Sequence, residues 1–183
     1  MNTNAYTQSP YFEQFQAGLA KIGESLDNAD QFHLNLYFSS MIAMMEKYLF
    51  DVYVDEIEGS DDAFYKMSLT DKYKNTSYPL AQILKGDIRK TVINTVKNLI
   101  WHRLNDIDYL YKNTFDIKFN VSKELRDIIL IRHHIVHRNG FDIDGGAVNI
   151  NAETLIKAIA VVSGFIFDID KKYYSYKSNS AAD

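Results

Sequence analysis

Ser122-Lys123-Glu124-Leu125-Arg126-Asp127-Ile128-Ile129-Leu130-Ile131-Arg132-His133-His134-Ile135-Val136-His137-Arg138-Asn139-Gly140 is the stretch from which the rest of the chain can be read. Ser122 is a good helix N-cap, and Gly140 is a good left-handed terminator. Stepping about 100° per residue from Arg132, the side chains of Leu125, Ile128, Ile129, Ile135, Val136 and Asn139 all fall within about 60° of it. The stretch therefore predicts one amphipathic helix with an arginine at the centre of its apolar stripe. A guanidinium cannot lose its charge, so a buried one needs acceptors, and a carboxylate is expected opposite Arg132. Beside the stripe, Arg126, His133 and His137 form a basic strip, while His134 and Arg138 turn to the far side.

Downstream, Phe141-Asp142-Ile143-Asp144-Gly145-Gly146-Ala147-Val148-Asn149-Ile150 reads as a hairpin with a Gly-Gly turn. That register pairs Ile143 with Val148 and Phe141 with Ile150. Asn151 then caps a last helix, about 152–172, before a polar tail from Tyr173. Upstream, Ser9 and Pro10 open a helix over about 10–27. A second helix, about 31–57, is apolar on most sides, as a central helix is. Glu46 is its oddity, a carboxylate set among Ile42, Ala43, Leu49, Phe50 and Tyr53, and it is the expected partner of Arg132. Residues 62–86 suggest a short helix and a loop, and Val92, Val96, Leu99, Ile100, Leu104, Ile107 and Leu110 predict one long helix over about 87–113. The fold class is all-α: an up-and-down bundle of four to five helices with a short β-hairpin, about 141–150, before the last helix. The 183 residues read as a single helical domain with its core at about 10–172 and polar tails at both ends.

Composition narrows the function classes. With 46% hydrophobic residues, 13 Tyr and 11 Phe, the chain reads as globular. It has no cysteine, which excludes disulfides and Cys-ligated zinc and is compatible with a reducing cytoplasm. The first nine residues carry no basic segment followed by an apolar run, as a signal peptide would. The most apolar run, 155–169, holds Lys157 and Asp168 and falls short of the roughly 20 residues a membrane span needs. A soluble cytoplasmic protein without membrane contact is expected. The net charge of −4 argues against a broad nucleic-acid surface. Between Lys118 and Gly140, however, five basic residues stand against two acidic ones, a local +3 before any histidine protonates.

Arg132-x4-His137, with polar His133 directly after the arginine, resembles the Arg-x(4–6)-His signature of HEPN-domain proteins. Arg126-x6-His133 also satisfies its loose form. The whole run from Arg132 to Gly140, followed by a hairpin and a last helix, looks like the small stand-alone members. Ile100-Trp101-His102-Arg103-Leu104 through Leu110-Tyr111 is similar to their preceding helix, and Met45-Glu46-Lys47-Tyr48-Leu49 to their second, which carries an acidic residue. The likeness covers about residues 30–170. It implies a homodimeric, metal-independent endoribonuclease whose two motifs meet across the dimer interface. Arg132 and His137 would be the active pair, His133 the polar neighbour, and Glu46, Arg126 and Asn139 supporting residues. The family includes toxins of toxin–antitoxin modules, antiviral RNases and non-catalytic members, so fold alone does not settle activity.

The residues suit that chemistry without a cofactor. An RNA 2′-OH attacks the adjacent phosphorus, a histidine moves the proton, and an arginine stabilises the phosphoryl oxygens. No metal is required. Arg132 and His137 stand about 140° apart on the wheel, so one helix does not aim both squarely at one phosphate. Two alternatives remain open. One is a binding module that dimerises or docks a partner, such as a nucleotidyltransferase antitoxin, without cutting. The other is a metal-dependent hydrolase in which His133 and His137, spaced i and i+4, gain a third ligand from Asp142, Asp144 or His102.

Overall fold

The structure, a computed structural model, describes residues 5–180. The reading of a leaderless N-terminus rests partly on residues 1–4, and that of a polar C-terminal tail partly on 181–183; both stretches lie outside the described residues. The helices are α1 (Pro10–Glu24), α2 (Gln31–Gly59), α3 (Asp61–Ser68), α4 (Leu80–Lys85), α5 (Ile88–Lys97), α6 (Leu104–Phe115), α7 (Lys123–His137) and α8 (Ala152–Ser180). The all-α class is as read, with more helices than the four or five expected. The chain divides into two compact units, one of Met1–Tyr48 with Phe119–Asp183 and one of Leu49–Lys118.

In the first unit, α1 begins where Ser9 Oγ accepts the Phe12 amide at 3.1 Å, with Pro10 in the first turn. It buries Phe12, Phe15, Leu19 and Ile22. It meets α2 closely at Gly18, where an added Cβ would come within 2.7 Å of Met44 Sδ. Both α1 and α7 pack on α8, which buries Leu155, Ala158, Val162, Phe165, Ile166 and Ile169. The fully buried Asp170 gathers this unit. Its carboxylate accepts hydrogen bonds from Tyr6 Oη at 2.6 Å, Ser9 N at 3.1 Å, Tyr48 Oη at 2.8 Å and Ser9 Oγ. Burial first, then the bond to and the charge of Asp170, hold the Tyr6 phenol well above the ordinary tyrosine pKa. The last helix outruns its expected end near 172, because Tyr173 is buried and its ring stacks on that of Tyr176 at 6.3 Å. Aromatic packing thus extends a segment whose polarity suggested fraying.

In the second unit, α3 packs on α6, and Tyr53, Trp101, Tyr111 and Phe115 form an aromatic cluster. The single helix expected over 87–113 is broken: α5 ends at Lys97 and α6 starts at Leu104. Asn98 ends α5, its Nδ2 donating back to Asn94 O at 2.8 Å. The turn that follows buries Trp101 against Phe50 and Tyr53 and leaves Ile100 exposed. Periodicity counted Ile100 and missed Trp101, which offers far more apolar area. Arg89 closes the end of α2, with Nη2 donating to Ile57 O at 2.9 Å and Ser60 O at 3.2 Å and its other arm paired with Asp61.

The expected hairpin at 141–150 does not form. A single antiparallel bridge joins Phe141 to Ala147, and no strand occurs among the described residues. Asp142 prevents the ladder. Its Oδ1 accepts the Asp144 amide at 2.9 Å and the Gly146 amide at 2.7 Å, a local turn that competes with cross-strand pairing. Ile143 is left 76% exposed instead of paired with Val148, and Ile150 alone of the four apolar residues is buried.

Candidate functional site

The site lies at the C-terminal end of α7, in the first unit. The helix is capped at its start by Ser122 Oγ, which accepts the Leu125 amide at 3.1 Å. Leu125 and Ile128 are buried, as the wheel predicts for the early turns. The end comes at His137, three residues before the expected stop. Arg138 leaves helical angles at φ −129, ψ 18, and Asn139 takes the left-handed conformation at φ 52. The carbonyl of His134 accepts both the Arg138 and the Gly140 amides at 3.1 Å. Gly140, at φ +84, follows in a conformation that disfavours side chains.

The expected ion pair is present. Arg132 Nη2 lies 3.6 Å from Glu46 Oε1, with the two side chains 16% and 23% exposed. A Cβ added to Gly140 would sit 3.7 Å from Asn35 Nδ2, so α2 and α7 run past each other in opposite directions. The contact to Glu46 is longer than a hydrogen bond. Arg132 Nε is buried and has no hydrogen-bond partner among the described residues, and the same holds for His134 Nδ1. The pair thus neutralises charge while leaving donor capacity on the guanidinium unused.

His133 and His137, one turn apart and both exposed, bring their ring centroids to 4.8 Å. The His134 ring stands 6.1 Å from that of His133. The pKa of His133 is lowered from its ordinary value, first by lost hydration, then by the positive charges of His137, Arg138, His134 and Arg132. The imidazole therefore stays neutral to lower pH than a free histidine, inside a field that attracts anions.

The remaining supporting residues are not brought to this cluster. Arg126 turns back to the helix start, where Nη1 donates to Val121 O at 2.9 Å; seven residues separate it from His133, about 10 Å of helix axis. Asn139 leaves the apolar stripe, because helical stepping no longer applies past His137, and it serves the turn instead. Val136, also placed in the stripe, is 47% exposed. Conversely, the helical wheel puts Arg138 on the far side of the helix, yet its charge bears on His133. The cap geometry that redirects it is signalled in the sequence only by Asn139-Gly140. Asp142 spends its carboxylate on backbone amides, and His102 belongs to the second unit. Among the described residues, no group of three or more His, Asp or Glu side chains is placed to hold a metal ion.

Compared with known proteins, the chain matches no family model, no curated protein and no solved structure. Among the described residues, no helix is long and apolar enough to cross a membrane.

Proposed function

We propose that this chain is a HEPN-type, metal-independent endoribonuclease, acting in the cytoplasm as the toxin of a toxin–antitoxin or antiviral defence system. The observation that carries the reading is the close, exposed pair of His133 and His137 inside a cationic field, on the same helix end as Arg132. In the reaction, neutral His133 takes the proton of the RNA 2′-OH, and the 2′-oxygen attacks phosphorus. His137 gives a proton to the 5′-oxygen as the P–O5′ bond breaks, leaving a 2′,3′-cyclic phosphate. Arg132 supports the charge on the phosphoryl oxygens. Glu46 holds Arg132 in place.

The active form is a homodimer, so that a second α7 completes the groove and supplies the aim that one helix lacks. Val136, exposed within a stripe otherwise turned inward, favours such a contact. The exposed Val136 equally supports a second reading, a non-catalytic module that dimerises or docks a partner such as a nucleotidyltransferase antitoxin. Expression of wild type and His137→Ala in the same host separates the two. The nuclease reading expects growth arrest and RNA breakdown with wild type alone. Equal behaviour of the two chains would leave only the binding module.

A further inference from the structure

We propose that α4 is a membrane-surface contact, seated on an anionic lipid bilayer with its apolar side chains among the acyl chains and Lys72 and Lys90 against the headgroup phosphates. The inference is independent of the ribonuclease reading and concerns the second unit alone. Within α4, Leu80, Ile83 and Leu84 stand at i, i+3 and i+4 and so share one face. That face is bare, since the three residues are 69%, 48% and 76% exposed. A helix of six residues has little stability of its own and ordinarily depends on burying its apolar face. Ala81, on another side of α4, is exposed as well, so the chain leaves this helix uncovered.

The segment is anchored on either side of that helix. The Asp71 amide donates to Tyr109 Oη at 3.1 Å, and Tyr73 is buried. Beyond α4, Asp87 Oδ1 accepts the Lys90 amide at 3.1 Å and caps α5. Between Leu69 and Lys97 the sequence holds six basic residues against two acidic ones, a local +4 in a chain of net charge −4. Lys74, Arg89 and Lys97 are paired with Asp71, Asp61 and Glu58. Lys72 and Lys90 are exposed and pair with no acid among the described residues. The occupant that satisfies both features is anionic outside and apolar within, which is the order of headgroup and acyl chain in a lipid surface. A positive segment in a negative chain also turns α4 toward such a surface. Among the described residues no helix is long and apolar enough to cross a membrane, and a helix lying on the surface needs no such length. The proposal therefore revises the expectation of no membrane contact, which rests on the lack of a span.

The test is flotation of the full chain with vesicles of phosphatidylcholine and phosphatidylglycerol in equal parts, against vesicles of phosphatidylcholine alone. Wild type is expected to bind the anionic vesicles and not the neutral ones, and added salt should weaken the binding. Leu80→Ser combined with Leu84→Ser should weaken it at least about tenfold. Lys72→Gln and Lys90→Gln should each weaken it about fivefold. Ile156→Ser, at an exposed position on α8, should leave it unchanged. Circular dichroism of the same samples is expected to show each variant folded, because the substituted side chains are exposed. Failure of wild type to bind the anionic vesicles, equal binding to both kinds, or undiminished binding by the paired α4 variant would each overturn the proposal. Binding of a synthetic acidic amphipathic peptide in place of the vesicles would overturn it in favour of a protein partner. None of these outcomes alters RNA cleavage, which is read separately.

Discussion

Two polar centres in the same unit are built in opposite ways. The buried carboxylate of Asp170 receives four hydrogen bonds, from Tyr6, Tyr48 and both the amide and hydroxyl of Ser9. The end of α7 gathers Arg132, His133, His134, His137 and Arg138; Arg132 Nε and His134 Nδ1 are buried without partners among the described residues, and His133 is held against protonation by lost hydration and then by its neighbours' charge. A satisfied network makes a fold unique. Like charges held together with unused donors cost stability, and they persist where a ligand supplies the missing partner. Asp170 is thus architecture, and the α7 end is what we propose as the site.

The contrast can be broken from either side. The largest effect is expected at the site: His137→Ala should lower RNA cleavage by about 100- to 10,000-fold, the range for a lost proton-transfer group, while stability stays within about 0.5 kcal/mol. A calorimetric scan and a cleavage assay on the same preparation check both halves. Next comes Asp170→Ala, which leaves four donors without their acceptor. It should cost about 3 kcal/mol or more in denaturant unfolding and leave the His133 titration in place. An Asp170→Ala protein as stable as wild type would remove the architectural half of the contrast.

Glu46→Gln comes third, since it removes the charge opposing Arg132 in a partly exposed pair. A destabilisation of about 1 kcal/mol is expected, with cleavage reduced because the guanidinium is no longer held. The smallest effect is electrostatic. By NMR, His133 should titrate below the usual histidine value of about 6.5, and Arg138→Gln should move it upward. Because its folded-state pKa lies below the unfolded value, the stability tied to neutral His133 is complete above about pH 6.5 and is lost as pH falls through the folded pKa. Arg138→Gln should narrow that loss. An unmoved His133 would show that Arg138 does not belong to the site.

Much of this was legible in the sequence, for identifiable reasons. The Arg132–Glu46 pair was readable because a charge on an apolar stripe has few ways to be satisfied, and two such oddities on two helices select each other. Caps at Ser9, Ser122 and Asn151 were readable because a side chain bonded to the next turn is a local interaction. What was hidden depends on competition between local and distant terms. Asp142 outcompeted a ladder that hydrophobic alternation favoured, and Trp101 broke a helix that periodicity extended. The angular wheel failed at Arg138 and Asn139, since its step is valid only while the backbone is helical. That failure concealed Arg138, while Arg126 falls beside histidines it does not approach because a wheel ignores the rise along the axis, about 10 Å over seven residues.

The central claim is that the α7 end transfers a phosphoryl group using RNA's own hydroxyl. The most direct measurement is mass spectrometry of the products formed from RNA in EDTA, with a matched substrate carrying one 2′-deoxy nucleotide at the cleaved position. The account predicts 2′,3′-cyclic phosphate ends from wild type, none from His137→Ala, and no cut at the 2′-deoxy position. Cleavage that continues at the 2′-deoxy position, or that is equal in His137→Ala, would contradict it.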